Sequence, residues 1–149
     1  MPTVFAILGD GNSRKSSTVR AITGAARYGV WTVATSSGNM DVYIRISSLQ
    51  ESNIDPQTFI ADMTAAGHQN ILVTLWVSQR ATPTATFPAG TDYLRAFAAA
   101  GWIIQQIVVL GTTPLLLHAG APAPNLIPLS ATTPANQIAS LIRGWWNWL

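Results

Sequence analysis

The chain contains no cysteine and one lysine, Lys15, and only 9% of its 149 residues are charged, against about 25% in an average soluble domain. Without thiols, disulfide scaffolds, thiol nucleophiles and Cys-ligated zinc or iron–sulfur sites are excluded, and a reducing, cytoplasmic location is the expectation. Eight basic and six acidic side chains leave a net charge of +2, too little for the basic stripe that captures nucleic acid, so no nucleic-acid partner is indicated. Long apolar runs are missing too. No charged residue occurs from Ala96 to Ile142, yet Pro114, Pro122, Pro124, Pro128 and Pro134 break that stretch. A spanning helix needs about 20 apolar residues in a row, so no membrane span is expected. Met1 to Leu8 lacks a basic flank and a small-residue cleavage site, so no secretory signal is expected and the mature chain should begin at or near Met1. What remains is an ordinary 48% of hydrophobic residues and a length that suits a single domain over 1–149.

Thr3 to Leu8 is an apolar run stopped by Gly9-Asp10-Gly11-Asn12, the pattern of a buried strand and a turn. A helix is expected from about Lys15, with Val19, Ile22 and Ala26 at helical spacing and Gly24 and Gly29 ending it. Gly29 to Thr35 and Val42 to Ser47 read as strands of a hairpin joined through Ser36-Ser37-Gly38-Asn39. Asp55 caps a helix with Pro56 in its first turn, an apolar face at Phe59, Ile60 and Met63, and Gly67 as its stop. A strand over Asn70 to Val77 follows, then a helix capped by Thr91 over Asp92 to Ala100, and a strand over Ile103 to Leu110. After a Gly/Pro/Thr loop, Asn125 to Leu129 is a short strand that Pro128 confines to an edge. The last helix opens at Thr133-Pro134 and carries Ile138, Leu141, Ile142 and Trp145 on one stripe. Strands alternating with helices predict a three-layer α/β/α fold around a mostly parallel sheet.

Gly9-Asp10-Gly11-Asn12-Ser13-Arg14-Lys15-Ser16-Ser17 lies between the first strand and the first helix. It resembles the Walker A loop of the P-loop NTPase superfamily, G-x-x-x-x-G-K-[ST], at Gly9, Lys15 and Ser16, with Arg14 in place of the second glycine. Amides of such a loop and the positive end of the helix form a nest for phosphate oxygens. The resemblance implies that Lys15 reaches the β- and γ-phosphates of ATP or GTP and that Ser16 holds magnesium. Arg14 beside it is a candidate internal arginine finger.

In open parallel sheets ligands sit at the carboxyl ends of the strands. The polar exits there are Gly9 to Ser17, Ser47 to Glu51, Ser78-Gln79-Arg80, Gly111-Thr112-Thr113 and Ser130 to Asn136. Neither Ile71 to Val77 nor Ile107 to Leu110 ends in a carboxylate of the Walker B kind, which leaves Asp10 and Glu51 as candidate acids, followed by Asp41 if the hairpin does not form. The likeness to small-molecule kinases of this superfamily implies acid or phosphate roles for Asp41, Arg45 and Glu51, a phosphate contact for Arg80, and a base or ribose contact for Asn136. Nucleotide binding, with hydrolysis or phosphoryl transfer, is the resulting expectation.

His68 and His118 lack a carboxylate pattern and suit loop or core positions, and no Gly-x-Ser-x-Gly elbow points to a serine hydrolase. The closing Trp145-Trp146-Asn147-Trp148 covers more than one helix face. Trp146 and Trp148 therefore either pack on the sheet or form a contact patch for a partner or second copy. The alternative to a nucleotide site is accordingly a non-catalytic interaction module assembled through that helix.

Overall fold

A computed structural model describes every residue except Asn12. Its elements run β1 (Thr3–Gly9), α1 (Lys15–Thr23), β2 (Gly29–Thr35), β3 (Gly38–Ile44), α2 (Pro56–Ala66), β4 (Asn70–Leu75), β5 (Arg80–Ala81), β6 (Thr86–Phe87), α3 (Gly90–Ala99), β7 (Ile103–Leu110), β8 (Asn125–Ile127) and α4 (Ala135–Trp146). Six strands form one sheet in the order β2-β3-β4-β1-β7-β8, and β5 pairs with β6. Every neighbour in the large sheet is parallel except the β2–β3 hairpin. The architecture is therefore mixed α/β on a mostly parallel sheet, with β8 on the edge as Pro128 requires.

Alternation along β1 explains how the sheet is covered on both faces. Phe5 and Ile7 join a cluster with Val19 and Ile22 of α1 and Ile138 and Ile142 of α4. Val4, Ala6 and Leu8 join the opposite cluster with Phe59 and Met63 of α2 and Leu94 and Phe97 of α3. The sheet thus carries α1 and α4 on one face and α2 and α3 on the other. Arg143 of α4 fastens the first pair by donating to the Ala21 carbonyl at the end of α1 (2.9 Å). Among the described residues no helix is long and apolar enough to cross a membrane.

Several boundaries differ from the sequence expectation, each for an identifiable physical reason. α1 stops at Thr23 because Gly24 adopts φ 72° and caps the Arg20 carbonyl, so Ala26 lies outside the helix. β3 runs over Gly38–Ile44 rather than to Ser47, since its hairpin turn is only Ser36-Ser37 (Thr35 pairs with Gly38). Thr91 does not cap α3. The Gly90 amide donates to the Trp76 carbonyl (2.8 Å), and the helix begins there, two residues earlier than expected. Thr133 likewise turns its hydroxyl back to the Leu129 carbonyl (2.7 Å) instead of capping α4.

The aromatic tail closes the first face. Trp146 and Trp148 are each 5% exposed and pack with Phe5 at ring distances of 5.2 and 5.0 Å. A contact patch through Trp146 and Trp148 is thereby corrected, because their area is already spent covering β1. The Leu149 amide reaches the Ala34 carbonyl (2.8 Å), so the chain end also covers part of the β2 edge.

Candidate functional site

β1 leads into α1 on one face, while its neighbour β4 leads through the β5–β6 hairpin into α3 on the other face. Adjacent strands whose connections part in this way leave a crevice at their carboxyl ends, where open α/β sheets bind ligands. The loop from Asp10 to Arg14 lies in that crevice.

Gly9 is the only residue that fits the loop's first position. A Cβ there would meet the Ser13 side chain and stand 3.0 Å from the Leu110 carbonyl oxygen. The loop then closes on itself, the Ser13 amide donating to the Asp10 carbonyl (3.2 Å). Arg14, at the position of the motif's second glycine, adopts φ 71°, ψ 26° and precedes α1 directly. A non-glycine residue in this left-handed region is strained by about 1–2 kcal/mol, so the backbone keeps a glycine-like conformation despite the side chain. Among the described residues, the amides of Gly11, Arg14, Lys15, Ser16 and Ser17 have no protein acceptor. They are N–H groups at the positive end of a helix, where anions are favoured.

Lys15 is 7% exposed. Its Nζ donates to the Asp10 carbonyl (2.9 Å) and the Ser13 hydroxyl (3.4 Å) and stands 5.7 Å from the Trp76 ring centre. Among the described residues the one ion pair is Arg95 with Asp92, so this buried ammonium has no carboxylate within 4 Å. Burial lowers the Lys15 pKa, against the opposing pull of the Glu51 and Asp10 charges. A buried charge without a counter-ion is costly, and an incoming anion would relieve that cost.

Glu51 approaches from the β3 exit. Its Oε1 accepts from the Trp76 indole (2.7 Å) and from the Ser48 hydroxyl (2.9 Å). Burial pushes its carboxyl up, but the hydrogen bonds from Trp76 and Ser48 and the charges of Lys15 and Arg80 outweigh burial and hold it below the ordinary glutamate value. Arg80 completes the group with its guanidinium 5.1 Å from the Trp76 ring centre. Behind them Gln50, fully buried, donates to the Trp76 and Pro88 carbonyls (3.2 Å each) and accepts from the Trp76 amide (3.1 Å). These bonds fix Trp76 as the wall between Lys15 and the β4 exit. The resulting cleft of about 340 Å³ is lined by Gly11, Ser13 to Ser17, Glu51 and Trp76.

Ser16 donates its hydroxyl to the Ile46 carbonyl (3.1 Å), which also accepts from buried Thr74 of β4 (3.2 Å). Its oxygen keeps its lone pairs as it lines the cleft, and Glu51 is the carboxylate that shares the cleft with it. Magnesium delivered with nucleotide phosphates keeps several waters and needs only one or two protein oxygens; the Ser16 hydroxyl and the Glu51 carboxylate are candidate oxygens on the wall of this cleft.

Of the residues singled out in the sequence, Gly9, Asp10, Gly11, Ser13, Arg14, Lys15, Ser16, Ser17, Glu51 and Arg80 come together here, and Asn12 lies outside the described residues. Asp10 clamps the loop. Its carboxylate accepts from the Ser78 hydroxyl (3.2 Å) and the Thr113 hydroxyl (3.4 Å), tying the loop to the exits of β4 and β7. Asp41 is displaced altogether: it pairs with Thr32 across the hairpin (2.7 Å) and precedes the Tyr43–Ile71 pair with which the parallel β3–β4 register begins, at the opposite end of the sheet. Arg45 stacks on Tyr28 (4.5 Å) away from the loop. Asn136 is exposed on the first turn of α4, in a groove with Gln137 and Ser140. Arg14 reaches the same connection by another route, Nε donating to the Ala131 carbonyl (3.3 Å). Sequence reasoning missed Trp76 and Gln50; the signal was a lone indole directly after β4, two residues before Ser78-Gln79-Arg80.

The chain matches no family model, no curated protein and no solved structure.

Proposed function

We propose that the loop from Gly9 to Ser17 binds the phosphate chain of a nucleoside triphosphate, ATP or GTP, as in a P-loop NTPase with an arginine in its second glycine position. The observation that carries this reading is Lys15: a 7%-exposed ammonium with a carbonyl and a hydroxyl for partners, facing a cleft bordered by amides that have no acceptor among the described residues. In this reading Lys15 turns from Asp10 onto phosphate oxygens, and the amides of Arg14 to Ser17 take the remaining oxygens. Ser16 would hold magnesium, which supplies charge neutralisation between phosphates. Glu51, whose lowered pKa keeps it ionised at neutral pH, is in this reading the acceptor for a proton from water or an acceptor hydroxyl, with hydrolysis or phosphoryl transfer as the chemistry. Arg14 stands at the loop's outer lip as the further cation for transferred-phosphate charge. The Trp-mediated module is not favoured, because Trp146 and Trp148 are internal.

Thermal titration with ATP, ADP and GTP, with and without magnesium, tests the reading. Ligand at 100 times its dissociation constant stabilises by about 2.7 kcal/mol, a rise of several degrees in Tm at roughly 2–8 °C per kcal/mol. Lys15→Ala should abolish that rise. Identical titrations of the native and Lys15→Ala proteins would reject nucleotide binding at this loop.

A further inference from the structure

A second cleft, of about 310 Å³, opens where the α1–β2 connection meets the β3 exit, and three arginines line it: Arg20, Arg27 and Arg45. They are three of only eight basic side chains in the chain, and no carboxylate lines the space with them. None forms an ion pair among the described residues. Self-repulsion among guanidiniums that never lose their charge makes such a gathering unfavourable without an anion.

Arg45 is the fixed member. Its guanidinium lies 4.5 Å from the Tyr28 ring centre and its Nη1 donates to the Tyr43 hydroxyl (3.5 Å). Its Nε is buried and has no hydrogen-bond partner, an uncommon and costly condition for a charged donor. The orientation therefore comes from two tyrosines rather than from a counter-ion, and one buried donor is left unsatisfied. Arg20 and Arg27 are exposed and free to close on a ligand from the α1 side. Tyr28, 63% exposed, offers a bare ring beside them, and the hydroxyls of Ser47 and Ser52 add neutral donors.

We propose that this cleft is a second anion site, taking a small phosphomonoester whose phosphoryl oxygens meet Arg20, Arg27 and Arg45 and whose organic body lies on Tyr28. Guanidinium forks match phosphate oxygens in pairs, and three of them balance a dianion better than a monocarboxylate. The site is distinct from the Lys15 cleft but backs onto it: the Ile46 carbonyl in its wall accepts the Ser16 hydroxyl, and Ser52 follows Glu51 in the chain. The proposal does not depend on the nucleotide reading.

The Lys15→Ala protein separates the two, since phosphate bound by it cannot be credited to that ammonium. Phenyl phosphate is titrated into it while the Arg45 Nε–H resonance is followed by NMR, with phenylacetate as the carboxylate control. Saturable binding that shifts the Arg45 resonance is expected, with phenylacetate at least about tenfold weaker. Adding Arg45→Gln, or the exposed and structurally harmless Arg20→Gln, should weaken phenyl phosphate at least about tenfold, the worth of one charge-assisted hydrogen bond. Absence of saturable binding, equal affinity for phenylacetate, or unchanged affinity in both arginine variants would overturn the proposal. A failed nucleotide titration of the native protein leaves this result untouched.

Discussion

The Trp76 indole donates to Glu51 Oε1 at 2.7 Å, joining the exit of β4 to that of β3 across the cleft that Lys15 faces. Burial opposes the Glu51 charge, so the hydrogen bond is part of what keeps the carboxylate ionised there. Trp76→Phe keeps the ring under Lys15 and Arg80 and removes only the donor. The Glu51 pKa, followed by NMR, is expected to rise, and stability to fall by about 1 kcal/mol or less, because the carboxylate is largely solvent-accessible. An unchanged pKa would show that the indole does not hold the charge.

The two perturbed groups give opposite pH dependences. Glu51 lies below its ordinary 4.5 when folded, so its contribution is complete above that value and fades as pH falls through the folded pKa. Lys15 lies below its ordinary 10.5. Between its folded pKa and 10.5 the unfolded chain holds the extra proton, so stability rises with pH in that window. Tm measured from pH 8 upward should therefore climb more in the native protein than in Lys15→Met. At pH 7, Lys15→Met should leave unliganded stability equal or higher, since it removes a buried charge with no counter-ion.

Arg14 carries left-handed backbone strain. Arg14→Gly relieves it while adding unfolded-chain entropy worth about 0.4–1 kcal/mol. Both variants lose the Ala131 contact; the balance for Arg14→Gly is expected to fall between zero and about 1 kcal/mol of stabilisation by denaturant titration, whereas Arg14→Ala retains the strain and is destabilised. Equal losses in both variants would mean that φ 71° is not strained here.

Gly90 starts α3 against the β4 exit, where an added Cβ would stand 2.9 Å from Leu8 Cδ2 and 3.1 Å from Leu75 Cβ, and would also crowd the Trp76 carbonyl. Gly90→Ala should cost about 1–3 kcal/mol as overpacking, read as a lower Tm. Gly11→Ala, with open space around it, should cost little.

Trp148→Ala tests the corrected role of the tail. Loss of a buried indole from the Phe5 cluster should cost about 3–5 kcal/mol and leave the association state by light scattering unchanged. A dissociating oligomer with unaltered stability would restore the contact-patch view.

Much of this was legible along the chain. The apolar run to Leu8, Gly9, the solitary Lys15 and the Asp55-Pro56 cap carry their structural meaning locally, through sterics and capping. β7 emerges with the boundaries its pattern suggested for the same reason. What escaped depends on partners remote in sequence. Asp41 looked available to the site until the two-residue turn at Ser36-Ser37 set the hairpin register and carried it to the far end of the sheet. Thr91 lost its capping role to a hydrogen bond between Gly90 and Trp76, and Gln50 reveals its task only once three exits converge on it. Trp146 and Trp148 could not be sorted into core or surface without knowing that Phe5 lies beneath them.

The most direct measurement is an amide and indole NMR titration of the native protein with magnesium and ATP. Shifts are expected at Gly11, at Arg14 to Ser17 and at the Trp76 indole, and the Lys15→Ala protein should lose them. Saturable shifts confined to other parts of the molecule, or none at these amides with ATP in the millimolar range, would contradict a phosphate-holding loop.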